Sequence, residues 1–343
     1  MQLETFRPSA RASLMKRVAP WTFALLLSAV TAADKPPLTS LNAKPVPLAN
    51  NVAVGDRIEH IRFLGMLAIP NTTASGLRVG QLSDIAWDDD ARVLYAITDK
   101  GALLHLHPVF RDQTLVDVQL VRAVPLRDAK TQQPLKYKRG DAEGLAIVRG
   151  TDGRAELIVS FERFPRIVRY RPDGYAIGEY RLPPVLAETK NYQDENRMLE
   201  AVCYDSTYGV LTMSEEPLKG ESAGFNRLYN LSGRSWRYPL NGDNNVVSLA
   251  CLDNGEVLVV ERQFGRFALH FRTTLKRIRL TPTANDTPLA AETLVTLDTG
   301  KGFQIDNFEG IARHRAKRFF LVSDDNDFFL ERTLLLYFEL LDN

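Results

Sequence analysis

Three glutamates each stand at the head of a short apolar run: Glu143 in "DAEGLAI", Glu200 in "MLEAV" and Glu309 in "FEGIA". Every one of these runs leads to a second acid or group of acids, namely Glu162 in "VSFERF", Glu215 with Glu216 in "MSEEP", and Asp324 with Asp325 in "LVSDDN". Two weaker copies begin with serine: Ser83 precedes Asp99 and Ser248 precedes Glu261. Carboxylates brought together in this way either bind a hard cation or raise one another's pKa, and Ca²⁺ favours such oxygen ligands. A bound cation would in turn hold a phosphate and polarise its phosphorus. The candidate catalytic residues are therefore Glu143, Glu200 and Glu309. Glu162, Glu215, Glu261, Asp324 and Asp325 are the candidate metal ligands, with Ca²⁺ as the expected ion. Arg163 and Arg166 follow Glu162, and Arg262 and Arg266 follow Glu261, so two copies share an acid-then-arginines pattern suited to bidentate phosphate recognition. The expected partner is a small phosphorylated ligand. Both sets also have an architectural reading, in which the acids cap backbone N–H groups and the arginines pair with acids of neighbouring repeats.

Other chemistries lack their residues. The five histidines, at 60, 105, 107, 270 and 314, form no H-E-x-x-H and join no cysteine-based zinc spacing. "ARHRAKR" is not a histidine acid phosphatase signature, and there is no G-x-S-x-G elbow, P-loop or dinucleotide fingerprint. Lys plus Arg total 43 against 42 Asp plus Glu, so no net charge draws the chain to nucleic acid or an anionic membrane.

The elements that must position these acids repeat with them. The five leading positions are 83, 143, 200, 248 and 309, and three residues later each unit has a small residue: Ala86, Ala146, Cys203, Cys251 or Ala312. Turns such as "GTDGRA" and "LDNGE" divide each unit into a hairpin, and further β-rich runs follow, among them "RIVRYRPDG", "FALHFRTTL" and "TLLLYFEL". Four short antiparallel strands recurring at this interval predict an all-β fold, a β-propeller of five or six blades. The last unit ends at its third strand, while "IEHIRFLGMLAIP" is a strand without a unit of its own. It is expected to supply the missing outer strand and close the ring. Cys203 and Cys251 occupy corresponding places in successive units. Equivalent inner strands are expected to hold them beyond the roughly 7 Å Cα limit for a bridge, as unpaired buried thiols.

On "DAEGLAI" with "VSFERF", "MLEAV" with "MSEEP" and "FEGIA" with "LVSDDN", the chain from about Arg57 onward resembles the phytase-like, or "esterase-like activity of phytase", family of secreted bacterial proteins. That resemblance implies a β-propeller whose repeated glutamates serve an enzyme acting on phosphate esters.

Arg7, Arg11, Lys16 and Arg17 precede the apolar stretch "VAPWTFALLLSAV" and small residues before Asp34, which reads as an export signal over residues 1–33. The apolar stretch is too short for the roughly 20 residues of a membrane span, so no transmembrane segment is expected after cleavage. Residues 34–56 read as a Pro-rich linker and residues 57–343 as one propeller domain. Two functions remain open: an exported, calcium-assisted phosphoric ester hydrolase, or a non-catalytic periplasmic or extracellular propeller that binds a ligand or protein.

Overall fold

In the computed structural model, residues 38–73, 76–265, 270–282 and 286–342 are described. The expected export signal, residues 1–33, and Arg266 lie outside them. The described strands form five antiparallel sheets, one per repeat. Blade 1 runs Leu82–Asp88, Val93–Thr98, Ala102–Arg111 and Thr114–Pro125 from the inside outward. Blade 2 consists of Ala142–Arg149, Ala155–Phe161, Arg166–Tyr170 and Ala176–Tyr180. Blade 3 follows with Leu199–Asp205, Gly209–Ser214, Phe225–Asn230 and Ser235–Pro239, and blade 4 with Asn245–Asp253, Glu256–Gly265, His270–Arg279 and Ala291–Asp298. Blade 5 takes Asn307–Arg315, Arg318–Asp324 and Thr333–Leu340 from the C-terminal end of the chain and its outer strand, Ile61–Ile69, from the N-terminal side. Thr333 pairs with Ile69 and Leu340 with Ile61, which is the closure expected from the unpaired run. The number of blades is five.

Closure is visible in the core. Five apolar clusters fill the spaces between successive blades, and one of them, with Leu67, Ile85, Leu104, Phe320 and Tyr337, joins blade 5 back to blade 1. Central strands are buried on both faces, so they read as continuous apolar runs such as "ELIVSF" and "EVLVV" rather than as alternating ones. Residues 38–56, expected as linker, lie along this body. Thr39–Ser40 pairs with the outer strand of blade 1, Lys44–Pro45 pairs with Ile61–Ile69, and Leu41 and Leu48 are buried.

Every inner strand carries a β-bulge near its start. The pairing skips Ser83, Glu143, Glu200, Val247 and Glu309, so these five residues face no partner on the second strand. A bulge re-aims a side chain at the edge of a sheet, and here it turns three glutamates toward the axis of the ring. In blade 4 the bulge falls on Val247, one residue before the expected Ser248. Ser248 therefore sits level with Asp84, Gly144, Ala201 and Gly310.

That one-residue offset corrects the expectation for the cysteines. Cys203 lies three residues past its bulge and Cys251 four, so they are not equivalent positions. Their Cα atoms are 5.6 Å apart and they form a disulfide that ties blade 3 to blade 4. It lies at the end of the channel opposite the glutamates, beside Ala86, Ala146, Ala250 and Ala312 in a constriction of about 100 Å³.

Between the two ends the channel is blocked by Asp84. Its Oδ1 accepts from the backbone N–H of Ile85 (2.9 Å) and Ile311 (3.1 Å) and from the Ser248 hydroxyl (3.0 Å), while Oδ2 accepts from Leu145 N–H (2.7 Å). One carboxylate thus joins the inner strands of blades 1, 2, 4 and 5. The glycines of the "EG" pairs make room for this packing: a Cβ on Gly310 would stand 2.7 Å from Asp84 Cα, and one on Gly144 would stand 2.4 Å from the Glu200 carbonyl oxygen.

Replacing Asp84 by Asn would turn an N–H₂ toward at least one buried backbone donor. The expected cost is about 3 kcal/mol in denaturant unfolding, because a donor left unpaired in the core loses its full solvation. Cys203→Ala with Cys251→Ala is expected to cost about 2–4 kcal/mol, read as a lower denaturation midpoint with a steeper slope, since the unfolded chain without the bridge exposes more surface, and with the acidic end of the channel unaffected.

Candidate functional site: an acidic channel mouth

Strand direction alternates within each blade, so the start of the inner strand and the end of the second strand share one face. The bulged glutamates occupy the first place and Glu162, Glu215 and Asp324 the second. Asp141, Glu143 and Glu162 offer oxygens within 4.8 Å of one another, and so do Glu162, Glu200 and Glu215. Glu162 belongs to both groups. No described residue donates a hydrogen bond to the carboxylates of Glu143, Glu162 or Glu200, although Glu162 and Glu200 are each only 6% exposed.

Their pKa values respond accordingly. Burial, then the charges of Glu143 and Glu215, push Glu200 well above the ordinary range; burial, then Glu162 and Asp141, do the same to Glu143. Glu162 is pushed up to about 9 by burial and by Asp141 and Glu215, against the pull of Arg163. Glu309 rises to about 7 because burial outweighs its contact with Arg262. Asp324 is raised by burial and by Glu309, and Asp99 rises to about 6 through burial against the pull of Lys100.

Arg262 is the cation set into this cluster. It donates to Glu309, to Glu215 Oε1 (2.9 Å) and to Asn307 Oδ1 (2.9 Å), and Asn307 Nδ2 donates in turn to Glu309 Oε1 (2.7 Å). Burial works against its charge, yet the attraction of Glu309, Glu215 and Glu200 prevails and raises its pKa. Beside it opens a cavity of about 670 Å³, walled by carboxamides and charges including Asn196, Arg197, Asn245, Gln263 and Asn326.

The structure thus gathers Glu143, Glu162, Glu200, Glu215, Glu309, Asp324 and Arg262. It places the other candidates elsewhere. Glu261 is fully buried and satisfied, accepting from Tyr238 Oη (2.7 Å), Lys276 Nζ (2.7 Å) and Asn244 Nδ2 (2.9 Å). Asp325 accepts from the backbone N–H of Gln81 (3.0 Å) and Asp327 (3.2 Å), and so fastens blade 5 to the strand entry of blade 1. Arg163 pairs with Asp141 at 2.5 Å on the rim, and Arg166 donates to the carbonyls of Phe164 and Arg139. Asp84, Asp141, Asn245, Asn307 and Arg197 were not among the candidates. One signal points to most of them: two residues before the bulge stand Gln81, Asp141, Asn245 and Asn307, polar in four of the five inner strands.

A carboxyl whose folded pKa exceeds its unfolded value binds its proton more tightly in the folded state, so it costs stability as pH rises from the unfolded pKa to the folded one. For Glu162 that window runs from the ordinary range near 4.5 to about 9. In the presence of chelator the melting temperature is expected to fall between pH 5 and pH 9, and Glu162→Gln is expected to flatten the decline. A profile unchanged by that substitution would show that the mouth does not set the pH dependence.

No curated protein matches the chain. Among solved structures it is similar to the Myceliophteria thermophila Cps50 (Swd1) β-propeller domain, at 12% identity and a TM-score of 0.38, over 89% of this chain and 100% of that one. It is also similar to the RRP9 WD40 repeats, at 9% identity and a TM-score of 0.36, over 87% of each chain. A family model described as phytase-like, "esterase-like activity of phytase", matches residues 77–327. That span holds all the acids and arginines of the mouth, and the chain belongs to this phytase-like family.

Proposed function

We propose that this protein is a phosphoric ester hydrolase assisted by a divalent cation, with Ca²⁺ as the ion and the acidic mouth as its site. The observation that carries the reading is the pair of overlapping carboxylate groups that share Glu162. Such all-oxygen, negatively charged ligand sets suit a hard cation, and crowded carboxylates without hydrogen-bond donors are relieved either by taking up protons or by binding such a cation. Asp141, Glu143, Glu162, Glu200 and Glu215 would hold the ion. Bound there, Ca²⁺ supplies a positive centre for the phosphoryl oxygens.

The residues of the chain do the rest. Arg262 is engaged by Glu215, Glu309 and Asn307, so its part is to hold those groups in place. Glu309 is held by Arg262 and Asn307, two residues that line the cavity, and its part in this reading is to take a proton from an attacking water. The leaving group fits the polar cavity of about 670 Å³, whose amides suit a hydroxylated or phosphorylated molecule. The Cys203–Cys251 disulfide accords with the export read from residues 1–33.

Phosphate release by the purified mature chain is measured on phosphomonoesters, phosphodiesters and phytate, with calcium and with chelator. Calcium-dependent turnover is expected, falling on the order of 10²-fold or more in a folded Glu309→Gln variant. Calcium uptake in equilibrium dialysis without turnover on any substrate would instead identify a non-catalytic propeller that binds a ligand. Lack of uptake by the folded protein would remove the metal site itself.

A further inference from the structure

The arginine expected to grip phosphate at the mouth, Arg166, stands in a different cleft, and its surroundings point to a ligand of their own. This cleft of about 390 Å³ lies on blade 2, between the segment that leads from blade 1 and the turn that follows the blade. Its walls include Lys130, Arg139, Phe164, Arg166, Tyr170 and Glu179, and none of the carboxylates of the mouth.

Arg166 is only 8% exposed. Its guanidinium donates to two backbone carbonyls, Phe164 O (3.1 Å) and Arg139 O (2.5 Å), and lies 3.7 Å from the centre of the Phe161 ring. It forms no ion pair with any described residue. Buried charges are ordinarily paired. Lys276, buried to a similar degree, is matched by Glu261 at 2.7 Å. Glu179, the acid nearest in kind, is exposed and forms no ion pair with Arg166, and Asp128 is engaged by its own turn and by Arg139 at 3.6 Å.

Tyr170 makes a second, independent observation. It is 1% exposed and lines the same cleft, and no described residue forms a hydrogen bond with its hydroxyl, which leaves that group available to a ligand in the cleft. The Lys130 ammonium, also on the wall, is free of ion pairs among the described residues. Phe164, 46% exposed, forms an aromatic lip with the Arg139 guanidinium 5.6 Å from its ring centre.

We infer that this cleft is a second ligand site, separate from the acidic mouth, which takes a small molecule bearing an oxyanion, a phosphate monoester or a carboxylate. Two of the five N–H groups of Arg166 are used by the carbonyls, which leaves donors for an oxyanion. The Tyr170 hydroxyl supplies another donor and Lys130 a second charge. The volume lies within the roughly 300–1,000 Å³ of small-molecule sites.

Isothermal titration of the folded mature chain tests this with inorganic phosphate and with benzoate, both in chelator, so that no cation at the mouth can carry the anion. Binding is expected, weakened about 5-fold or more by Tyr170→Phe and by Lys130→Ala, and abolished by Arg166→Met where that variant folds. The two milder variants leave the Arg166 carbonyl contacts intact, so they decide the matter if Arg166→Met does not fold. Binding of phosphate alone assigns the site to phosphate esters, and equal binding of both assigns it to oxyanions at large. Absence of binding of both probes, affinity unchanged in Tyr170→Phe and Lys130→Ala, or loss of binding in Arg197→Ala with retention in Tyr170→Phe would each overturn the proposal. Because the metal is withheld, failure here leaves the phosphoesterase reading untouched, and absence of turnover at the mouth leaves this site untouched.

Discussion

The ring depends on a buried carboxylate. Asp84 sits where five inner strands converge and accepts hydrogen bonds from groups on four of them, itself included. Burial pushes its pKa well up, against the four donors that favour the charged form. An apolar side chain there would leave those donors unpaired in the core, and a larger polar one would meet Gly310, where even a Cβ has no space. The same blockage makes the channel two-ended: a small apolar constriction with the disulfide on one side, and an acidic recess on the other.

The recess follows from the bulges. A regular inner strand would alternate its side chains between the two neighbouring blades, and its first residues would join the apolar packing there. The extra residue at Glu143, Glu200 and Glu309 releases each side chain from that packing and lets it face its counterparts across the axis. Crowding then does what it must to carboxylates in a low dielectric: pKa values rise, and a cation becomes the natural complement. Blades 1 and 4 place Ser83 and Val247 at the same level, so the recess is acidic on blades 2, 3 and 5 and is entered by Arg262 from blade 4. This asymmetry leaves the carboxylates of Glu143, Glu162 and Glu200 without a guanidinium while Arg262 holds Glu309, and Glu215 is shared between the two sets.

Pairs of acid and arginine that looked alike as text have diverged in place. Glu162 remains in the recess while Arg166, four residues on, is directed into its own cleft; Arg262 enters the recess while Glu261, one residue before it, is directed into the space between blades 3 and 4. Alternation along a strand explains the second pair, since neighbouring residues face opposite sides of the sheet. For the first, the turn at Arg163–Pro165 reverses the chain between them.

The repeat, the blade of four strands, the closing role of Ile61–Ile69 and the three glutamates of the mouth are legible in the chain because each is written in local periodicity: apolar runs of strand length, turn residues between them, and an acid at a constant place. Tertiary structure alone decided how many blades close the ring, which of the acids meet, and which arginine accompanies them. A shift of one residue in blade 4, from Ser248 to Val247, is invisible in composition yet reverses the direction of the side chains that follow it as far as Cys251. That shift made Cys251 the partner of Cys203 instead of its unpaired equivalent. Asp84 was hidden for a related reason: next to Ser83 it looks like an ordinary polar residue, and only the convergence of strands distant in sequence makes it the centre of the fold.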